Sequence, residues 1–182
     1  MKESMPARRL NGSTSRLLVG GLLSALLLLT ACHRNSPYQQ QGIASLQGTW
    51  TEDTAALHVV PARSVVTRYN MRFTCDSVYM VLNTHAGQDY FATPCYAGGN
   101  YTEYVKGTYI IHRDSLVVTA VFTHPNYKMK VAGCYRSGNI RFWYQIKEQT
   151  DSTLKLRNTD EHGPMFMKKI KACKCVPQRI GD

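Results

Sequence analysis

The sequence predicts an all-β protein whose strands form an antiparallel up-and-down barrel of about eight to nine strands. Two observations support this fold class. From Leu46 onward, apolar and polar residues alternate with a period of two, and no stretch shows helical periodicity. Turn-forming residues such as Gly98-Gly99-Asn100 interrupt the alternation about every 8–12 residues. Closing such a sheet removes exposed edges that would pair with other chains.

The N-terminal segment has the parts of an export signal. Four basic residues within the first 16 positions precede an apolar run of 13 residues, Leu17–Leu29. A membrane-spanning helix needs about 20 apolar residues, so this run is too short for a permanent anchor. The sequence therefore predicts a cleaved signal peptide over residues 1–31, with an uncleaved anchor as the alternative.

The residues that end the apolar run, Leu29-Thr30-Ala31-Cys32, resemble the lipobox of bacterial lipoproteins. The resemblance implies that Cys32 receives a diacylglyceryl group and becomes the first residue after cleavage. Its new amino group then receives a further acyl chain such as palmitate. Two or more acyl chains hold a protein firmly on a membrane. An ordinary secretory signal with a chance cysteine is the alternative interpretation.

A lipoprotein of this kind is expected in the cell envelope of a Gram-negative bacterium. Residue 33 is His and not the Asp that, in the lipoprotein sorting rule, retains the protein in the inner membrane, which favours the outer membrane. Residues 32–46 are predicted to form the lipidated cysteine and a polar, flexible tether that spans about 20 Å.

The length and charge of the exported chain limit the kinds of partner that we expect for it. Without residues 1–31 the chain keeps 151 residues, enough for one domain with a hydrophobic core. Its basic residues fall from 22 to 18 and its acidic residues from 12 to 11, which leaves a net charge of +7. This charge favours an anionic envelope component as a partner, with a solvated basic surface as the alternative. Nucleic acid is not expected as a partner.

The strands follow one another with clear alternation. In the best example, Tyr69, Met71 and Phe73 share one face while Arg68 and Arg72 lie on the other. The predicted series is a short strand around Trp50 followed by Val65–Cys75, Val78–Thr84, Tyr101–His112, Ser115–Thr123, Tyr127–Tyr135, Ile140–Lys147, Thr153–Asn158 and Met165–Ile170.

Three segments of this series resemble lipocalin-like barrels. Leu46-Gln47-Gly48-Thr49-Trp50 contains the Gly-x-Trp with which such domains open. Residues 107–116 resemble the mid-barrel hairpin of the family, and residues 144–156 resemble its closing hairpin.

The lipocalin resemblance implies a barrel domain at residues 47–171, with the Trp50 indole closing one end. The tail at residues 172–182 departs from the secreted lipocalins, because it carries Cys173-Lys174-Cys175 and no convincing C-terminal helix. Fold alone does not supply a function.

An interior ligand cavity is one possible use of such a barrel, since about eight strands can enclose one small molecule. An ordinary packed core of aromatic and methionine side chains is the alternative. The inward candidates for binding a small apolar ligand are Trp50, Tyr69, Met71, Phe73, Met80, Tyr109, Phe122 and Tyr144.

Export to an oxidising compartment predicts disulfide bonds among the remaining cysteines. The candidates are Cys75, Cys95, Cys134, Cys173 and Cys175. Their number is odd, so at least one has no partner within the chain. A bridge between Cys173 and Cys175 would be strained. We expect Cys75 to pair with Cys95, and Cys134 to pair with a cysteine of the tail.

The sequence names no catalytic residue, cofactor or metal site. It lacks a nucleophile elbow and a phosphate-binding Gly-rich loop, and one Cys-x-Cys is weak evidence for zinc. We therefore expect a membrane-anchored lipoprotein that serves as a small-molecule or lipid binding module, or as a structural envelope protein. The alternatives are a small barrel enzyme of lyase or isomerase type and a protein-interaction module that uses its basic surface.

Overall fold

A computed structural model describes residues 38–53, 65–88, 91–95, 98–158 and 164–179 of the chain. The chain divides into the units Met1–Ser36 and Pro37–Asp182, and the described residues belong to the second unit. The predicted signal peptide, the lipidation site Cys32 and the first residues of the tether lie outside the described residues.

The described chain forms a closed barrel of eight antiparallel strands, in which each strand pairs with the next and the last pairs with the first. A single 3-10 turn, Ala44–Leu46, precedes the barrel. The strands are β1 (Gly48–Glu52), β2 (Val66–Thr74), β3 (Ser77–His85), β4 (Asn100–His112), β5 (Ser115–Thr123), β6 (Asn139–Gln149), β7 (Thr153–Asn158) and β8 (Pro164–Lys171). The predicted all-β class and up-and-down barrel are confirmed.

One predicted strand is wrong. Residues 127–135 form a loop between β5 and β6, joined to the sheet only by an isolated bridge between Thr123 and Met129. The backbone of Tyr127 and Tyr135 has positive φ, 59° and 67°, which is incompatible with an extended strand. The alternation of apolar and basic residues in this loop does not mark a buried face, because Met129 and Val131 are exposed, whereas Tyr127 packs on the Tyr79 ring.

The predicted alternation places the core inside the barrel. On β2 the inward residues Tyr69, Met71 and Phe73 are buried, whereas Arg72 between them is exposed. The same pattern on every strand produces one hydrophobic cluster inside the barrel, of which Trp50 of β1 is a fully buried member. The Trp50 indole donates a hydrogen bond to the Leu46 carbonyl at 2.8 Å, so its polar group is satisfied within the core.

The two ends of the barrel differ. At the closed end, the hairpin turns after β2 and β4 have two residues each, and the 3-10 turn lies beside them. At the other end, which we call the mouth, longer loops connect β3 to β4 and β5 to β6. The disulfide Cys95–Cys134 ties these two loops together.

The predicted tether is not free over its whole length. Tyr38 forms a bridge with Arg179 of the tail, and the Gln39 side chain donates a hydrogen bond to the Ser77 hydroxyl at 2.7 Å. The Gln40 amide donates to the Asp76 carboxylate at 3.0 Å. The chain is therefore docked on the closed end from Tyr38 onward, contrary to the expectation of a flexible segment up to residue 46.

Candidate functional site

The eight residues predicted to line an interior ligand cavity all lie inside the barrel, and each is at most 4% exposed. All eight belong to the single hydrophobic cluster of the core. Phe122 alone among them lines one of the two pockets whose residues the structure describes. Side chains buried to this extent in one cluster form the packed core of the barrel. The candidate binding sites are therefore the two described pockets.

The larger described pocket is a groove on the outer surface of β4, β5 and β6, with a volume of about 520 Å³. We call it the β4–β6 groove. Its lining consists of Lys106, Gly107, Thr108, Thr119, Ala120, Val121, Asn139, Ile140 and Arg141. These residues lie side by side in rows that cross β4, β5 and β6. The groove is therefore formed by the pairing of three strands and not by one segment.

The floor of the groove is formed where Gly107 of β4 pairs with Ala120 of β5. A side chain at Gly107 would overlap the Thr119 carbonyl and Ala120, so only glycine permits this close approach. A ligand in the groove therefore meets backbone and small side chains at its centre.

Two cations border the groove without an acidic partner. Lys106 and Arg141 form no ion pair with any described carboxylate. Aromatic rings hold them in place: the Lys106 ammonium lies 5.6 Å from the centre of the Tyr79 ring, and the Arg141 guanidinium lies 5.1 Å from that of Trp143. Both charges are therefore free to bind an anion.

Thr108 and Thr119 pair across β4 and β5 in the row that ends at Arg141, and the next row on the outer surface contains Lys106. Both side chains are exposed. Hydroxyls and cations converging on a shallow floor suit an anion with several oxygen acceptors, such as a phosphate group.

A second pocket, of about 250 Å³, lies at the mouth beneath the loop between β5 and β6. Glu103 points into the barrel here and is only 3% exposed. Arg136 of the loop donates to both carboxylate oxygens of Glu103, through Nε at 3.1 and 2.9 Å and through Nη2 at 2.5 Å. Burial by itself would lower the pKa of Arg136, but the hydrogen bonds and negative charge of Glu103 raise it.

Aromatic side chains lie near this ion pair, in which Glu103 is buried and the Arg136 side chain is 46% exposed. The Arg136 guanidinium lies 4.8 Å from the centre of the Phe122 ring. Tyr135 stacks on Tyr101 at 4.7 Å between ring centres, and Phe91 meets both rings edge-on. Arg136 binds both oxygens of the Glu103 carboxylate, so we assign this pair no acid–base chemistry. We assign it the role of closing the mouth.

The closed end is held by a buried polar cluster around Tyr109. Its hydroxyl donates to the Cys75 carbonyl at 2.8 Å and accepts hydrogen bonds from the Gln47 side chain at 2.8 Å and the Ile43 amide at 3.1 Å. Burial raises the pKa of Tyr109 above its ordinary value of 10.0, while the hydrogen bonds act in the opposite direction. We assign this cluster a structural role.

The disulfide pairs differ from the sequence expectation. Cys75 is bonded to Cys175 and Cys95 to Cys134. The expected pairs, Cys75 with Cys95 and Cys134 with a cysteine of the tail, are both wrong. The correct pairs lie on opposite ends of the barrel, which sequence order does not reveal. Cys173 is free and exposed, which agrees with the expectation that at least one of the five cysteines other than Cys32 has no partner. Cys173 and Cys175 do not bond to each other, as expected.

The groove residues were not among the sequence-predicted site residues. Alternation places Lys106, Thr108 and Arg141 on the outside, but the sequence does not show that three strands bring them together. Within the described parts of the chain, no group of three or more His, Cys, Asp or Glu side chains could hold a metal ion.

Among the described residues, no helix has the length and apolar character needed to cross a membrane. Comparisons of the chain with protein-family models, with curated proteins and with solved structures find no match.

Proposed function

We propose that this protein is a lipid-anchored lipoprotein of the outer membrane, and that its barrel is a binding module for a phosphate-bearing anionic component of the envelope. The anchor is the lipid on Cys32. The ligand site is the β4–β6 groove. A small apolar ligand inside the barrel is less favoured, because the residues that would contact it pack against one another in the core.

The observation that carries this proposal is the pair of cations that no described carboxylate neutralises, Lys106 and Arg141, on either side of a floor with minimal side chains. In proteins, hydrogen bonds to charged groups each contribute about 1.5–3 kcal/mol. Two such contacts would make the groove selective for an anion over a neutral molecule of similar shape.

The anion site is tested on the full protein purified in a neutral detergent. Trp143 adjoins Arg141 and is 39% exposed, whereas the only other tryptophan, Trp50, is fully buried. Inorganic pyrophosphate should therefore change the emission of Trp143. Replacing Lys106→Gln and Arg141→Gln together should weaken binding at least tenfold, since one charge-assisted contact alone accounts for about that factor.

A matched control removes the same charge elsewhere. Arg157 and Lys171 are exposed on β7 and β8, away from the groove, and Arg157→Gln with Lys171→Gln should leave binding within about twofold of the wild type. Equal losses in the two double variants would show a diffuse charge effect and overturn the site. An absence of pyrophosphate binding at millimolar concentration would do the same.

The anchor is tested separately. The Cys32→Ser variant should leave the membrane fraction, and the wild-type protein should carry the added mass of its acyl chains. If Cys32→Ser still fractionates with membranes, the lipid anchor is wrong.

A further inference from the structure

The outer surface around the groove exposes large apolar side chains. Ile110 of β4 is 58% exposed and pairs in register with Val117 of β5, which in turn pairs with Trp143 of β6. Met129 is 65% exposed and lies opposite Thr123, at the mouth end of the same surface. Val131, 82% exposed, follows two residues later. Exposed apolar groups concentrated in this way mark an interaction surface.

Aromatic hydroxyls and cations surround these apolar groups. The ring of Tyr127 meets Tyr79 at 4.9 Å and Tyr104 at 6.2 Å between centres. The Arg72 guanidinium lies 4.4 Å from the centre of the Tyr79 ring, on the side away from Lys106. Amphipathic rings beside basic residues are typical of proteins that rest at the boundary between lipid headgroups and water.

Asp76 and Asp114 lie in the two hairpin turns that border this surface, and Asp114 accepts a hydrogen bond from Gln145 of β6. The outward positions of β2 to β5, and those of β6 as far as Lys147, contain no aspartate or glutamate. We call the outer surface of β4 to β6, together with Tyr127, Met129 and Val131 of the loop, the docking face. Its positive charge complements anionic lipid headgroups, for which each nearby Lys or Arg contributes about 1 kcal/mol.

The course of the chain brings the docking face close to the anchor. Gln39 contacts Ser77, an outward residue of β3 whose register partner on β4 is Thr108 in the groove. Six Cα–Cα steps separate Cys32 from Tyr38, and they reach at most about 20 Å when extended. A lipid on Cys32 would therefore hold Tyr38, and with it the contact of Gln39 with Ser77, within about 20 Å of the bilayer.

We propose that the docking face rests on the membrane and that the β4–β6 groove receives the phosphate of an anionic lipid headgroup. Trp143, Ile110, Met129 and Val131 then enter the interfacial layer. This inference rests on the proposed lipid anchor and names the partner of the proposed anion site. It orients the barrel with its axis along the membrane plane, not perpendicular to it.

The test uses the full lipoprotein reconstituted into vesicles that carry bromine atoms on their acyl chains, which quench nearby tryptophan. One set of vesicles is pure phosphatidylcholine, and the other contains phosphatidylglycerol as well. Trp143 should be quenched at least twice as strongly in the anionic vesicles. A Trp143→Phe variant, which keeps only the buried Trp50, supplies the background and should show little quenching.

Two variants locate the contact. Met129→Asp with Val131→Asp should at least halve the quenching of Trp143, because carboxylates oppose entry into an anionic interface. The matched control combines Ile170→Asp with Val176→Asp. Ile170 and Val176 are 64% and 66% exposed at other parts of the surface, so this double variant should leave the quenching of Trp143 unchanged. The emission of Trp50 verifies that each variant is folded.

The outcomes separate the inference from its premise. A protein whose mass shows the lipid, but whose Trp143 is not quenched in anionic vesicles, keeps the anchor and overturns the docking face. Equal loss in the two Asp variants also overturns it. Crosslinking from position 143 to an envelope protein, with no quenching by lipid, would assign the face to a protein partner and contradict the proposal. A chain without lipid overturns both proposals.

Discussion

At the scale of single residues, the closed end depends on buried polar side chains that form hydrogen bonds with one another and with the backbone. Gln47 is only 5% exposed and uses both ends of its amide: its oxygen accepts from the Cys75 amide at 2.7 Å, and its nitrogen donates to the Tyr109 hydroxyl and the Cys75 carbonyl. Each of these buried polar groups therefore has a hydrogen-bonding partner within the protein. The sequence marks Tyr109 as an inward residue, but its three hydrogen bonds arise from segments 34 to 66 positions away.

Tyr109→Phe should therefore lower the free energy of unfolding by about 1–3 kcal/mol at neutral pH, since it leaves buried hydrogen-bonding groups without a partner. Because the pKa of Tyr109 is raised in the folded protein, its contribution is fully present below pH 10 and is lost as the pH rises through the folded value. The stability difference between wild type and variant should narrow in that range. Urea unfolding at pH 7 and at pH 9 to 11 measures both effects, and a difference that grows with pH would contradict this account.

At the scale of elements, β4 is the longest strand of the barrel and passes through the groove at Gly107. The sequence placed the ends of β2 to β8 within about two residues, because alternation and turn chemistry are local properties. It failed at residues 127–135, where Tyr127 packs on the rings of Tyr79 and Tyr104 in place of pairing in a ladder. Because the alternating Met129 and Val131 are exposed, the alternation in this loop does not identify a strand with one buried face.

Gly107→Ala should destabilise the barrel by about 1–3 kcal/mol, because the new methyl group would overlap the backbone of β5 at Thr119 and Ala120. It should also weaken pyrophosphate binding, because the overlap would push β4 and β5 apart and so displace the residues that line the groove. Thermal unfolding and the Trp143 titration measure the two effects. His112→Ala, exposed at the end of the same strand, is the control and should change stability by less than about 0.5 kcal/mol. Equal behaviour of the two variants would contradict the close approach at Gly107.

At the scale of the whole molecule, the two disulfides hold opposite ends of one barrel. Cys75–Cys175 joins the turn after β2 to the tail, and the tail in turn pairs with the incoming chain through Tyr38 and Gln39. The bond closes a loop with a sequence separation of 100, for which the loss of unfolded-state entropy is large. The chain that leads to the proposed anchor is thereby fixed to the barrel.

Replacing Cys75→Ser and Cys175→Ser together should lower the free energy of unfolding by about 2–5 kcal/mol. It should also increase amide exchange at residues 38–40 and 176–179, which the tail holds. Cys95→Ser with Cys134→Ser is the matched control: it should cost a similar amount, but increase exchange in the mouth loops instead. Hydrogen exchange read by mass spectrometry distinguishes the two, and the same pattern in both variants would show that the bonds do not act locally.

The sequence by itself determined the fold class, the inward and outward positions of each strand and, apart from Cys32, the odd number of cysteines. These follow from periodicity, turn residues and counting, which need no knowledge of distant neighbours. Only the tertiary structure decided which cysteines bond, that residues 38–46 dock on the closed end and that the predicted ligand residues pack as a core. It also brought Lys106, Thr119 and Arg141 from three strands into one groove. Such contacts depend on register and barrel closure, which join residues far apart in the chain.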